Sequence, residues 1–438
     1  MPGVALSRLM VSGEYVEDLQ PHDGPDHELE GMISGSTPRL RMTWHDGSQT
    51  AADAYMMEHY ATHAERPWSA DMIGTGVTYT VMTFYYDREM FNQLPGVRFE
   101  VDGIALYDPR ADASVGGTGA QRWSDPATWA RTANPAVMIY NILRGLILPD
   151  GRRWGGQVSA DDLPLDNWFA AMNECDVVVT LENGATEPQY RAGLEVSVDT
   201  EPAAVIEELL KACSASISEV GGVYKLRVGP PALPVFFMSD DDVVVDRPQS
   251  LAPYPGLDGV HNAIHATHPS PAALWESRDA PPRYNAEWEA EDGGRQLVAQ
   301  VDLPAVASDT QVQRLMRAWI EDERRFRRHS LTLPPEAAVL EPLDAIAWTS
   351  TREGYAAKVF EIGEATDDLT TCLQTLAMRE REAGDFGWVR GAFIPVGHPQ
   401  PGPRPPRPPR LAGLSPAAVQ PANNPRHGPR PGRVAGGG

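Results

Sequence analysis

In the first third of the chain, hydrophobic and polar positions alternate with a period of two. Val97, Phe99 and Val101 point one way, and Arg98, Glu100 and Asp102 the other, which predicts a strand. Asp102-Gly103 suits a tight hairpin turn that returns Ile104–Tyr107 as a second strand. From Tyr79 to Tyr86 both alternating sets are apolar or β-prone, as in a strand buried on two faces. Pro109 in the run Tyr107-Asp108-Pro109-Arg110 has no N–H to donate, so the ladder ends there. The period then changes. Asn134 reads as an N-cap and Pro135 as a first-turn residue; Met138, Ile139, Ile142 and Leu143 form one stripe, and Gly145 closes the helix.

From Asp150 to Gly229 the pattern is mixed α/β. Leu163–Met172 predicts a helix and Val177–Leu181 a strand. A second helix opens at Thr200-Glu201-Pro202, with Val205, Ile206, Leu209, Leu210 and Cys213 on one side. Gly221-Gly222 joins Ser216–Val220 to Val223–Val228 as a hairpin. From Leu233 to Arg390 strands return around one long helix. Ser308 and Gln311 form a capping box ahead of Val312, Leu315, Met316, Trp319 and Ile320. Arg324, Arg325, Arg327, Arg328 and His329 crowd its far end, where the helix dipole favours cations. Asp344–Trp348 and Ala357–Ile362 read as strands, and Val260–His265 alternates like one.

The length of 438 residues allows two or three domains with substantial cores. The three cysteines, Cys175, Cys213 and Cys372, stand far apart in sequence without a CxxC pair. That spacing excludes a disulfide framework and a zinc site, and it suits synthesis in a reducing cytoplasm. Glu14, Glu17 and Asp18 near the amino terminus, without a basic n-region, argue against a signal peptide. Met138–Leu148 is broken by Asn141 and Arg144 and is too short to span a bilayer, so no stable membrane insertion is expected. A net charge of −23 disfavours broad nucleic-acid binding. The body is more acidic still, because six arginines and no acid follow His398. The proline-rich run from Pro399 predicts polyproline II and coil rather than a packed element.

Five sets of residues suggest chemistry. His261, His265 and His268 could ligate a metal, but their setting alternates like a strand. That places the first two roughly 13 Å apart, too far for one ion, and makes exposed strand histidines the expectation. Asp240–Asp242 lack the glycine turn of a calcium loop. Glu287, Glu289 and Glu291 would share a strand face and mimic paired catalytic carboxylates, or form a solvated row. Cys175 has no context marking a nucleophile. Trp319 and Trp348 fit a core better than a sugar platform. Neither a phosphate-binding glycine loop nor a GxSxG or HExxH motif occurs, so no catalytic, cofactor or metal residue is expected.

The order of hairpin, Tyr107-Asp108-Pro109-Arg110, tryptophan-rich link, Asn134-Pro135-Ala136 and helix resembles the central region of tail-tip proteins of long-tailed phages. That family includes the lambda-type tip-attachment proteins and the hubs of gene-transfer agents. The likeness covers most of residues 40 to 390. It implies an α+β, mainly β fold: two β-barrel-like hub domains, an inserted α/β module and a disordered Pro/Arg-rich tail. The expected boundaries are 1–149 for the first hub domain, 150–232 for the module, 233–396 for the second hub domain and 397–438 for the tail. In relatives a strand follows an acidic turn, which here implies one at Val243–Val245, and another strand begins near Asn262. Relatives also carry a glycine in the turn that is here Glu341-Pro342-Leu343-Asp344. The resemblance implies a structural virion protein rather than an enzyme. It would be a baseplate hub at the distal tip of the tail, closing the tail tube and anchoring fibres for host attachment and genome delivery. The implied partners are two further copies in a homotrimer, tail-tube and tape-measure proteins, and fibres or spikes. DNA would pass only in transit; the acidity reads first as solubility, and the resemblance adds the alternative of a conduit wall that repels DNA. The alternative is a carbohydrate-active protein, either a glycan-binding module or a glycosidase. For the tail, a tether or docking strand stands beside a plain disordered terminus.

Overall fold

The computed structural model describes residues 3–24, 26–90, 93–148, 151–256, 259–388 and 393–394. The expectation for the tail, 397–438, lies outside the described residues. Strand outweighs helix, 34% against 22%, so the chain is α+β and mainly β, as its periodicity predicts.

The first unit contains β1 (Ala5–Val11), β2 (Glu14–Tyr15), β3 (Gln20–Pro21), β4 (Leu29–Ser34), β5 (Thr37–His45), the short helix α1 (Ala54–Tyr60), β6 (Tyr79–Phe84) and β7 (Val97–Asp102). These strands form a sheet of order β2-β1-β7 and another of order β3-β4-β5-β6. Leu9 and Val11 from one sheet and Leu40 and Met42 from the other make the core between them. Next come β8 (Ala105–Leu106), β9 (Ala130–Arg131) and α2 (Pro135–Arg144). The hairpin expected across Asp102-Gly103 does not form. β7 pairs antiparallel with β1, setting Phe99 opposite Leu9 and Val97 opposite Val11, while β8 pairs with β9. A second force draws Tyr107 away. The fully buried Asn141 of α2 donates to its carbonyl oxygen at 2.7 Å and accepts from its N–H at 3.1 Å, acting as a substitute strand partner.

Helix α2 forms as its sequence predicts. Asn134 accepts from Ala136 N and Val137 N, Pro135 occupies the first turn, and Gly145 ends the helix at φ 85°. Burial extends beyond the expected stripe to Ala136, Val137 and Tyr140. After β10 (Leu146–Ile147) and β11 (Arg153–Trp154) follow α3 (Leu165–Cys175), β12 (Val178–Thr180), β13 (Thr186–Pro188), α4 (Pro202–Ala212), β14 (Ala215–Val220) and β15 (Val223–Val228). The largest core runs from Leu106 through α2, α3, α4 and β15 to Ile264 and Ile320.

The rest comprises β16 (Phe236–Ser239), β17 (Ser250–Ala252), β18 (Ala263–Ser270), β19 (Glu276–Asp279), β20 (Arg283–Tyr284), α5 (Ala286–Glu291), β21 (Val298–Asp302), α6 (Asp309–Glu323), β22 (Arg328–Leu333), β23 (Ala345–Ser350), β24 (Tyr355–Asp368) and β25 (Leu373–Glu380). Six of these strands make one sheet in the order β16-β23-β24-β25-β22-β17, and β18 centres another with β19, β20 and β21. The six-stranded sheet curls strongly. His329 of β22 lies 4.8 Å from Trp348 of β23, centroid to centroid, although β24 and β25 intervene in the ladder. The barrel-like expectation needs one correction: among the described residues the sheets remain open, with β16 and β17 as edges of the curled one. Val243–Val245 is not a strand. Asp240–Asp242 form a 3-10 turn, Val243 turns into the core, and Val244 N bonds Thr332 O of β22 across the mouth of the curl.

The turn lacking its glycine keeps the backbone that glycine would have. Leu343 sits at φ +76°, with its N–H on Ile362 O at 2.8 Å and Asp344 N on Glu341 O at 3.1 Å. A left-handed residue with a Cβ costs roughly 1–2 kcal/mol. Leu343→Gly should therefore be no worse than neutral, while Leu343→Ile should destabilise by about 1–2 kcal/mol, because β-branching tolerates positive φ poorly. Urea titration of both variants checks the order. At the start of α2, Asn134 also donates its Nδ2 to Met172 O at 2.9 Å. Asn134→Ala should cost about 2 kcal/mol or more, since it removes the cap and orphans a buried carbonyl. Asn134→Asp, which keeps the acceptor, should lose less in the same denaturation experiment.

Candidate functional site

Helix α6 connects the parts of the molecule through polar contacts on buried surface. Ser308 caps it by accepting from Gln311 N, but the Gln311 side chain does not reach back to complete the expected capping box. It instead donates to Arg191 O and Ala212 O and accepts from Arg191 N, stitching the helix to the α/β segment. Glu187, just inside β13, takes Arg314 Nη1 at 2.6 Å, Thr310 Oγ1 at 2.5 Å and Arg191 Nη2 at 2.8 Å. Arg314 also donates to Gln189 O at 2.8 Å. Burial pushes the Glu187 carboxyl up, but the hydrogen bonds from Thr310 and Arg314 and the two guanidinium charges outweigh it and hold it below 4.5.

At the other end, Asp322 takes Arg379 Nη2 at 2.7 Å and Arg381 Nε at 2.9 Å, while Arg381 also holds Glu361 at 2.9 Å. Arg325 forks onto Asp385, with bonds of 2.8 and 2.7 Å. Arg324, Arg325 and Arg327 of the basic run are therefore engaged in ion pairs rather than decorating a helix end. Arg324 meets Glu291 and Asp292, and Arg327 meets Glu380. His329 lies in β22, among Trp348, Tyr355 and Phe360.

The histidine expectation is corrected. His268 is 1% exposed and lies 3.2 Å from Asp309 Oδ1 at the start of α6. His265 bonds the Tyr284 hydroxyl at 2.9 Å, and the His261 ring packs at a tilt against Trp319, 5.5 Å between centroids. Each ring has a separate partner, and the described residues contain no cluster of three or more groups that could hold a metal ion. Glu287, Glu289 and Glu291 lie on α5, not on a strand, because Asn285 caps a helix there through Glu287 N and Trp288 N. Glu289 turns inward and is buried, whereas Glu287 and Glu291 are exposed, so the shared carboxylate face is lost. Asp242 closes a capping box with Ser239, and Asp240 accepts from Thr351 N and Arg352 N, giving those aspartates structural partners. Cys175 and Cys213 are both buried free thiols brought together by the fold; burial pushes the Cys213 thiol up, as does its contact with Cys175.

Periodicity missed the open edge of the curled sheet. β16 and its lead-in expose Leu233 (88%), Val235 (61%) and Phe237 (75%) beside an edge whose one ladder partner among the described residues is β23. The signal was present as an apolar run directly behind Pro234, since proline confines a strand to an edge. Large exposed apolar side chains on an unpaired edge are a template for association.

Residues 201–364 match the family model described as a putative phage tail protein. That stretch carries a phage-tail signature. The fold extends the likeness further. A chain from the virion of a native gene transfer agent particle shares it at a TM-score of 0.53 and 13% identity, over 88% of this chain and 77% of that one. A tail protein from Neisseria meningitidis MC58 aligns at a TM-score of 0.33 and 10% identity, over 46% of this chain and 60% of its own. The 43 kDa tail protein of prophage MuSo2 from Shewanella oneidensis aligns at 0.29 and 10% identity, over 42% of this chain and 54% of its own. The chain thus spans less than two thirds of those two tail proteins. No curated protein matches the sequence. The resemblance to phage and gene-transfer-agent tail proteins is borne out, and the matched stretch contains β16, α6 and the curled sheet as far as Glu364.

The Glu187–Arg314 pair carries a pH signature. A carboxylate held below its unfolded value contributes stability that is present above about 4.5 and is lost as pH falls through the lower folded value. Glu187→Ala should cost about 3 kcal/mol near neutral pH, because it leaves the buried Arg314 cation unpaired. The gap to the unsubstituted protein should narrow as pH falls below the ordinary carboxylate range, followed by urea denaturation across the range.

Proposed function

We propose that this protein is the tail-tip, or baseplate, hub of a long-tailed phage or gene-transfer agent. In this reading it acts structurally rather than as an enzyme. Three copies surround the distal end of the tail tube, contact tail-tube and tape-measure proteins, and anchor fibres or spikes for host attachment and genome delivery. The observation that carries the reading is the fold shared with a gene-transfer-agent virion chain over 88% of this protein. The phage-tail match of residues 201–364 supports it independently of the fold. The exposed edge at Leu233, Val235 and Phe237 supplies apolar surface of the kind obligate assemblies bury. The net charge of −23 fits a wall past which DNA slides without binding.

The units expected at 1–149, 150–232 and 233–396 would then be the working parts of the hub, with 397–438 as a tether. Synthesis would take place in the bacterial host cytoplasm and residence at the distal tip of the virion.

Native mass spectrometry of the purified protein should give three times the 47.8 kDa chain mass. A stable monomer at high concentration, even with a tail-tube protein present, would count against the hub. Gold-labelled antibody on intact particles should mark one end of the tail only; labels spread along the tube would refute the tip location.

A further inference from the structure

A groove of about 520 Å³ opens where α6 meets α4, β14, β21 and β25. Its floor is apolar and aromatic, with Leu315, Trp319 and Phe386 among its lining, and Phe386 lies against the Arg381 guanidinium at 5.0 Å. The charges on its rim are unequal in their commitments. Lys211 is paired with Glu208, and Arg379 and Arg381 are paired with Asp322. Asp302 has only the Thr267 hydroxyl, at 2.5 Å, and Glu323 has no ion pair among the described residues. The charges left uncommitted at the rim are therefore both negative.

The chain itself contains a complement. Pro401-Gly402-Pro403-Arg404-Pro405-Pro406-Arg407-Pro408-Pro409-Arg410 combines polyproline II preference with three cations and no acid. Grooves lined by aromatic side chains receive such segments, because a preset polyproline II helix loses little entropy on docking. The described chain also ends beside this helix. Ile394 is clamped to Gln313 of α6 by two hydrogen bonds of 2.7 Å, N–H to Oε1 and Nε2 to carbonyl oxygen. Gln313 lies on the opposite side of α6 from Ala318 and Asp322, so the chain must pass around a helix about 10 Å across. The seven steps from Ile394 to Pro401 span roughly 22 Å in polyproline II, which is enough.

We propose that residues 401–410 dock in this groove of their own chain, with Arg404, Arg407 or Arg410 reaching Asp302 and Glu323. The interaction is read on the single chain, so it stands or falls separately from the hub assembly proposed above.

The full chain with Arg407→Lys tests it. Carbodiimide joins amines to carboxylates without a spacer, and the substitution places an amine in the tail. Peptide mass spectrometry should find position 407 joined to Asp302 or Glu323 within one chain. The yield should fall about tenfold between roughly 0.05 and 1 M salt, as screening of exposed charges requires. Replacing Pro405, Pro406, Pro408 and Pro409 by Ala in the same background should lower it about threefold, since the preset helix is lost while the charge is kept. The substitutions lie outside the described residues, and circular dichroism verifies that the body is folded. Links scattered over other acids, or no link from position 407, would overturn the groove. Links found only between chains, in a mixture of ordinary and nitrogen-15 protein, would overturn docking in the same chain. A yield indifferent to the prolines would overturn the polyproline fit.

Discussion

Helix α6 joins the two larger cores, and the way it is anchored constrains everything around it. Its apolar side, with Val312, Leu315, Met316 and Ile320, belongs to the core that also contains α2, α3 and α4. Near its start Glu187, Gln311 and Arg314 bind it to the α/β segment, and near its end Asp322 binds it to the six-stranded sheet through Arg379 and Arg381. Buried ion pairs of this kind add little net stability, because desolvation offsets their attraction, but they tolerate only one geometry. The helix therefore sets the angle between an α/β body and a curled β-sheet more than it strengthens either.

The joint is reinforced off the helix. Lys225 of β15 pairs with Glu341 in the turn that opens β23, and Arg381 donates to Gly229 O just after β15. These contacts tie the turn before β23 and the segment just after β25 to the hairpin of the α/β segment. The strained Leu343 lies in the same turn, two residues from Glu341. A left-handed leucine persists only where its surroundings over-determine it. Here Asp344 Oδ2 accepts from Glu341 N at 3.0 Å, and Ile362 N bonds Asp344 O at 2.9 Å, closing the turn against β24.

Several titratable groups have partners of their own, such as His268 with Asp309, His265 with Tyr284, and Glu380 with Lys358 and Arg327. The surface left over consists of an apolar sheet edge at Phe237 and an acidic aromatic groove along α6, both suited to binding other chain segments.

Local chemistry by itself determined several elements. Asn134-Pro135 and Gly145 bounded α2 to the residue, Pro202 opened α4, and Gly221-Gly222 turned the β14–β15 hairpin, because caps and turns depend on near neighbours. The resemblance to tail proteins was also legible, since it rests on the order of such fragments. Partner choice was decided only in three dimensions. Phe99 alternates as a strand residue in either pairing, and nothing near Gly103 reveals that β1, some ninety residues earlier, takes the ladder. Glu287, Glu289 and Glu291 fit a period of two, and the Asn285 cap turned them into a helix. His268 appeared exposed because a strand period gives a face without saying what covers it, and α6 covers it. Glu187 and Arg314, 127 residues apart, meet only because β13 and α6 pack together. Short-range preferences are written in the residues that express them, whereas a pairing between distant segments depends on the free energy of the whole packed chain.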